Sequence, residues 1–158
     1  MKRVLLILLP AVLLMSCVKN DSNGGACEPL KPSAEAAQIE AYASANSLAV
    51  TKDTPTGIYY QIIDPGTGTA PTDSSKVFVT YTGKYLSGGV FDQATQPNTT
   101  GWVLGNLIDG WRLMLPKIKK GGHIKMVLPS AYAYGCTGSG TIPPNEILFF
   151  DVTLVDVQ

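Results

Sequence analysis

Histidine is almost missing from this chain: His123 is the only one in 158 residues. No serine or cysteine therefore has a histidine base at hand, and one His among scattered carboxylates cannot build a convincing zinc site. His123 itself alternates with Lys125 along a strand, the pattern of a solvated face rather than of a general base. Charge is scarce and balanced, with twelve basic against twelve acidic side chains. That balance argues against nucleic acid as a partner, and Lys117, Lys119, Lys120 and Lys125 read as solvated surface. The glycine-rich stretch from Gly135 to Gly140 has no lysine and runs into Ile142-Pro143-Pro144 instead of a helix, so it reads as a flexible flap and not a phosphate loop. No apolar run is long enough to cross a bilayer, which needs about 20 residues. Internal repeats and low-complexity tracts are absent as well. Neither a metal nor a cofactor is expected.

The one apolar run that exists, Val4 to Met15, is broken by Pro10, follows the basic pair Lys2-Arg3 and closes on Leu14-Met15-Ser16-Cys17. This is the build of a targeting signal, and its end resembles the bacterial lipobox, in which the cysteine is lipidated and becomes the new N-terminus. Residues 1–16 are thus expected to be a lipoprotein signal peptide, and Cys17 the attachment point of a lipid anchor in the bacterial cell envelope, on a periplasmic or surface face. Loss of Lys2 and Arg3 leaves ten basic against twelve acidic groups. Residues 17–32 are polar and rich in Asn, Ser, Gly and Pro, which suits a flexible tether.

What the chain has in quantity is glycine and proline, 16 and 11 residues, the composition of short strands and turns. Residues 33–56 are expected to hold a helix from an Ser33 cap to about Ser47, with a thin apolar face of Ile39, Tyr42, Ala43 and Ala45, followed by a linker. From residue 57 to 158 the pattern is one domain of strands. Ile58 to Ile63 is the first, Lys76 to Leu86 alternates, Val90-Phe91-Asp92 and Gly101 to Leu104 are short, His123 to Leu128 follows, and Ile147 to Val157 places Leu148, Phe150, Val152 and Leu154 on one face. Between them, Asp109-Gly110 opens a short helix with Trp111 in its first turn, ending near Leu115 and Pro116. So large an apolar ring there packs inward, with Leu107 and Ile108 beside it. The class is α+β, an antiparallel sheet wrapped on one buried helix. Aromatic and aliphatic side chains gather near the turns, among them Tyr81, Phe91, Trp102, Trp111, Tyr132, Tyr134 and Ile142, with the carboxylate of Asp92 in their midst. Such a group suits a pocket that takes something apolar and presents a few fixed polar atoms to it.

Six blocks in order, Val79-Thr80-Tyr81-Thr82-Gly83, Val90-Phe91-Asp92, Ile108-Asp109-Gly110-Trp111, Ala131-Tyr132-Ala133-Tyr134-Gly135, Ile142-Pro143-Pro144 and Leu148-Phe149-Phe150-Asp151-Val152, resemble the FKBP family of peptidyl-prolyl cis-trans isomerases. The resemblance covers about the last eighty residues and leaves 18–56 unaccounted for. It implies a half-barrel of curled antiparallel sheet over the short helix, with Trp111 as the floor of a pocket that binds X-Pro segments. Tyr81, Phe91, Leu107, Ile108, Trp111, Ile142 and Phe150 would line it as substrate-binding residues, and Asp92 and Tyr134 would be the catalytic pair, with the Ile108 amide and the Tyr134 hydroxyl holding ligand carbonyls. The activity implied is prolyl isomerisation of exported proteins during folding. The alternative is a chaperone or adaptor that grips prolyl segments with little turnover, because Thr100 stands where the family commonly has an aromatic. Proline-containing polypeptides are the expected clients, and proline-mimicking macrolides the expected inhibitors. With only Ser33 to Ser47 ahead of the domain in place of a long helical arm, a monomer is expected.

Two cysteines remain once Cys17 is lipidated. In an oxidising compartment they invite a bridge between Cys27 and Cys136. The competing reading makes Cys136 a small buried residue and Cys27 a free thiol, and a Cα separation within about 7 Å separates the two.

Overall fold

The computed structural model describes residues 27–158. The signal peptide 1–16, the lipidation site Cys17 and the tether up to residue 26 lie outside the described residues. Helix α1, Pro32–Ala45, comes first. Its N-cap is Lys31 with no side-chain cap, and Pro32 opens the first turn, where a missing N–H costs nothing. The expected Ser33 cap is therefore corrected to Lys31, two residues earlier, because proline's fixed φ opens the first turn. The apolar face also differs. Glu35, Ile39 and Ala43 are buried at helical spacing while Ala45 is exposed, so the buried face gains a carboxylate and does not include Ala45.

Seven strands follow in one antiparallel sheet: β1 Thr51–Lys52, β2 Tyr59–Asp64, β3 Lys76–Tyr85, β4 Val90–Ala94, β5 Trp102–Val103, β6 His123–Leu128 and β7 Leu148–Val157. Their order is β1-β2-β6-β7-β3-β4, with β5 paired to the start of β3. The two-residue β1 was not anticipated, since it has too few residues for a period and exists only by pairing with Tyr59 and Tyr60. The sheet curls over α2, Asp109–Met114, which continues as a single 3-10 turn through Lys117. The inward faces of β6 and β7 supply Ile124, Met126, Leu128, Leu148, Phe150, Val152 and Leu154, all packed with Trp111, Met114 and Leu115 in one core. Close approach is essential at Gly110, where a Cβ would lie 2.4 Å from a Leu128 methyl. Only glycine lets the helix settle onto β6 at that distance.

The outer face of the sheet carries α1. Ile39 packs with Tyr59, Val127, Ile147 and Phe149 in a second cluster, and the Tyr42 ring lies 5.7 Å from that of Phe149. At this end β6 and β7 are covered on both sides, which is why Met126-Val127-Leu128 and Ile147 to Phe150 are unbroken apolar runs. At the other end the outer face is polar, and Asp151 accepts from His123 and pairs with Lys125 at 3.7 Å. Asn98, at the end of the polar excursion after β4, accepts from the Val79 amide at 3.1 Å and donates to the Val77 carbonyl at 3.3 Å. It thereby satisfies the β3 backbone at its bulge between Phe78 and Val79. Cys27 and Cys136 are bridged, with their Cα atoms 5.8 Å apart.

Candidate active site

Strand β3, the turn into α2 and the turn after β6 converge on one cavity of about 290 Å³. Tyr81, Phe91, Asp92, Leu107, Ile108, Trp111, Tyr134 and Phe150 line it. Ile142 does not: it is buried in the main core beside these residues. Two lining residues lie outside the set the resemblance implied: Trp102, which the sequence had placed in the aromatic group suited to a pocket, and Asn106, which was not anticipated. Trp102 had a signal in its own bulk near a turn, while Asn106 had none, since a polar residue in a loop says nothing about which wall it joins.

The floor and walls are held by rings. Trp111 is buried, and its centroid stands 5.2 Å from Tyr81 and 5.4 Å from Phe150, both edge-on. Phe91 meets Phe150 edge-on at 5.5 Å, an arrangement the ring quadrupoles favour. The indole Nε1 has no partner in the protein, so contacts alone hold Trp111 in place. Gly83 makes the Phe91 wall fit, since a Cβ there would stand 2.5 Å from the Phe91 ring.

Polar atoms are few and fixed. The Tyr81 hydroxyl donates to Asp92 Oδ2 at 2.5 Å, and the Gln93 amide donates to Oδ1 at 2.9 Å. Both carboxylate oxygens are thus oriented. Among the described residues, the Ile108 amide and the Tyr134 hydroxyl donate to no protein acceptor, which leaves two donors at the cavity wall. Burial first, and then the hydrogen bond to Asp92, pushes the Tyr81 phenol well above its ordinary range. Burial, helped by the Asp92 charge, raises Tyr134 as well. Both remain neutral O–H donors at neutral pH.

The surroundings of the cavity are built rather than loose. The segment expected to be a flexible flap is a tied turn. Ser139 and Ile142 exchange backbone hydrogen bonds of 2.9 and 2.8 Å, the Gly138 amide donates to Tyr134 O at 3.1 Å, and the Tyr85 hydroxyl reaches Thr141 O at 2.9 Å. An extension bounded by Gly101, Trp102, Val103 and Asn106 adjoins Tyr81 and Asp92. A wider groove of about 670 Å³ lies between α1 and the Asn145-Glu146-Ile147 segment, but it has no ring floor and no oriented carboxylate. Among the described residues no cluster of His, Cys, Asp or Glu could hold a metal ion.

The raised phenols set an alkaline limit. Tyr42, Tyr59, Tyr81 and Tyr134 all ionise less readily folded than free, burial being the leading cause in each. The unfolded chain then sheds these protons first, so stability is fully present below about pH 10 and falls as pH rises beyond it. Thermal melts from about pH 8 to 11 are expected to show this loss, whereas activity stays flat to about pH 9 because both cavity hydroxyls keep their protons.

An antiparallel sheet curled over one short helix, with an aromatic pocket at the helix start, is the architecture that the sequence resemblance implied. The chain belongs to the FKBP-type peptidyl-prolyl cis-trans isomerase family, whose model matches residues 67–155. It is 44% identical over 108 residues to the FKBP-type peptidyl-prolyl cis-trans isomerase FkpA of Escherichia coli, covering 68% of this chain and 40% of that protein. It is 37% identical over 123 residues to FkpA of Aeromonas hydrophila, covering 75% of this chain and 45% of that one. The crystal structure of Escherichia coli FkpA matches with a TM-score of 0.67 at 39% identity, over 81% of this chain and 63% of that one. A peptidyl-prolyl cis-trans isomerase structure from Pseudomonas syringae matches with a TM-score of 0.66 at 31% identity, over 85% of this chain and 99% of that one. The chain spans less than half the length of the curated relatives it matches.

Proposed function

We propose that this chain isomerises X-Pro bonds in exported proteins while it is held at the bacterial envelope by a lipid on Cys17. The observation that carries the reading is the ring-walled cavity with one oriented carboxylate and two unengaged donors. Rotating an X-Pro amide requires loss of its resonance, a barrier of about 18–20 kcal/mol. The twisted amide has less charge separation than the planar one, so an apolar cavity that excludes water favours it. Donors at Ile108 and Tyr134 then hold the flanking carbonyls while the bond turns. No proton moves and no covalent bond forms. Asp92 acts by orientation and charge, together with Tyr81.

A proline-limited refolding assay, or a protease-coupled peptide assay, tests the activity directly. Asp92→Ala is expected to lower kcat/KM by about tenfold to a hundredfold. Its effect on stability should stay within about 0.5 kcal/mol, as the side chain stands at the surface. Undiminished turnover would remove Asp92 from its role. The extension of the cavity beside Gly101 and Trp102, with Thr100 in place of an aromatic, favours a second reading, a binder of prolyl segments with weak turnover, for which clients would bind yet refold no faster. A monomer is proposed because α1 commits its own apolar side, Ile39, Tyr42 and Ala43, to the sheet it packs on. A sedimentation mass of twice the chain at micromolar concentration would contradict this.

A further inference from the structure

We infer that the segment ahead of the family-matched region is a brace that aims Tyr134 into the cavity, with Glu35 and the Cys27–Cys136 bridge as its two positioning elements. The inference rests on the isomerase reading for its rate measurement, and deepens it. The family model begins at residue 67, so both Glu35 and Cys27 lie before it. Tyr134 stands on an irregular turn: a single 3-10 turn at Ser130–Tyr132, then Ala133 at φ −113°, ψ −105°, then Gly135 at φ +57°. Among the described residues no hydrogen bond holds the Tyr134 hydroxyl, so the aim of its ring is set by the backbone that carries it together with its packing on the core.

That backbone is gripped from outside at both ends. Ser130 is fully buried, and as the first residue of its 3-10 turn its N–H has no backbone acceptor. Glu35, itself buried and 95 residues distant in sequence, accepts that N–H on Oε2 at 2.9 Å. Two residues beyond Tyr134, Cys136 is bonded to Cys27. An apolar residue at position 35 would pack as Ile39 and Ala43 do on the same helix face. What only an acceptor supplies is the hold on Ser130, and Glu35 supplies it although its Oε1 and the Ser130 Oγ stay buried without partners. A carboxylate left half-satisfied in the interior is a poor source of stability, which separates positioning from packing. Neither Glu35 nor Cys27 lines the cavity, so both act through Tyr134.

The test uses the full oxidised chain at temperatures well below its melting point, with amide hydrogen exchange and kcat/KM read on the same samples. Glu35→Met and the pair Cys27→Ser with Cys136→Ser are each expected to speed exchange across residues 131–138 by about tenfold while β7 stays protected, and to lower kcat/KM by about three- to tenfold, the scale on which small misplacement acts. Glu35→Gln, which keeps an acceptor of the same reach, should recover most of the loss. With all three substitutions present, adding Tyr134→Phe should cost a smaller factor than it does in the unmodified chain, since the coupled sites share one effect. Unchanged exchange, unchanged kcat/KM in the folded variants, or an equal cost of Tyr134→Phe in both backgrounds would each overturn the inference. An unmodified chain with no turnover overturns the isomerase reading and this inference with it. An active chain whose braced and unbraced forms turn over alike overturns this one alone.

Discussion

Protein lacking the Cys27–Cys136 bridge is expected to be less stable by about 4–5 kcal/mol, the entropy that a cross-link over this span removes from the unfolded chain. The two residues are 109 apart in sequence, so the bond closes most of the described chain into one loop. Its effect on stability lies mainly in the unfolded state, and in the folded protein only the 131–138 turn should loosen on reduction while the sheet survives it. Urea unfolding of the oxidised protein against the Cys27→Ser, Cys136→Ser pair would measure it. The slope with denaturant should rise in the pair, because an unbridged chain exposes more surface when it unfolds. A difference under about 1 kcal/mol would mean that the unfolded ensemble was already confined, or that the bridge does not form in solution.

Trp111→Ala is expected to cost about 3–5 kcal/mol and to abolish ligand binding in the cavity. The indole is 4% exposed and touches Tyr81, Phe150 and Trp102, so its removal leaves a void beneath the pocket as well as an absent floor. Because Nε1 has no partner, no hydrogen bond is lost, and the whole effect is packing. Trp111→Phe should therefore recover a large share of the stability. In a Trp102→Phe background, the remaining indole emission should change when a proline-mimicking macrolide is added. No change on saturating addition would show that the ligand does not reach the floor.

The alternation of β3, β6 and β7, the short helix opened by Asp109-Gly110 and the inward Trp111 were all legible in the sequence, because periodicity within one segment is a local property that burial of one face dictates. The blocks around Tyr81, Phe91, Asp92, Trp111, Tyr134 and Phe150 were legible for a different reason: their order along the chain resembles the FKBP family, whereas Phe150 by itself, in mid-strand, reads only as core. What the tertiary structure alone decided involves partners far apart in the chain. Ile142 has the same composition signal as a pocket residue, yet it is buried beside the cavity. Asn106, with no signal, is on the wall, since which side of a loop faces the site depends on how α2 docks against Leu128. Glu35 reads as an ordinary helix former, and only the arrival of Ser130 from the far end of β6 makes an interior carboxylate tolerable. Asn98 satisfies a bulge in β3 that no local pattern announces. Sequence specifies which face of an element seeks burial; the packed sheet decides what that face meets.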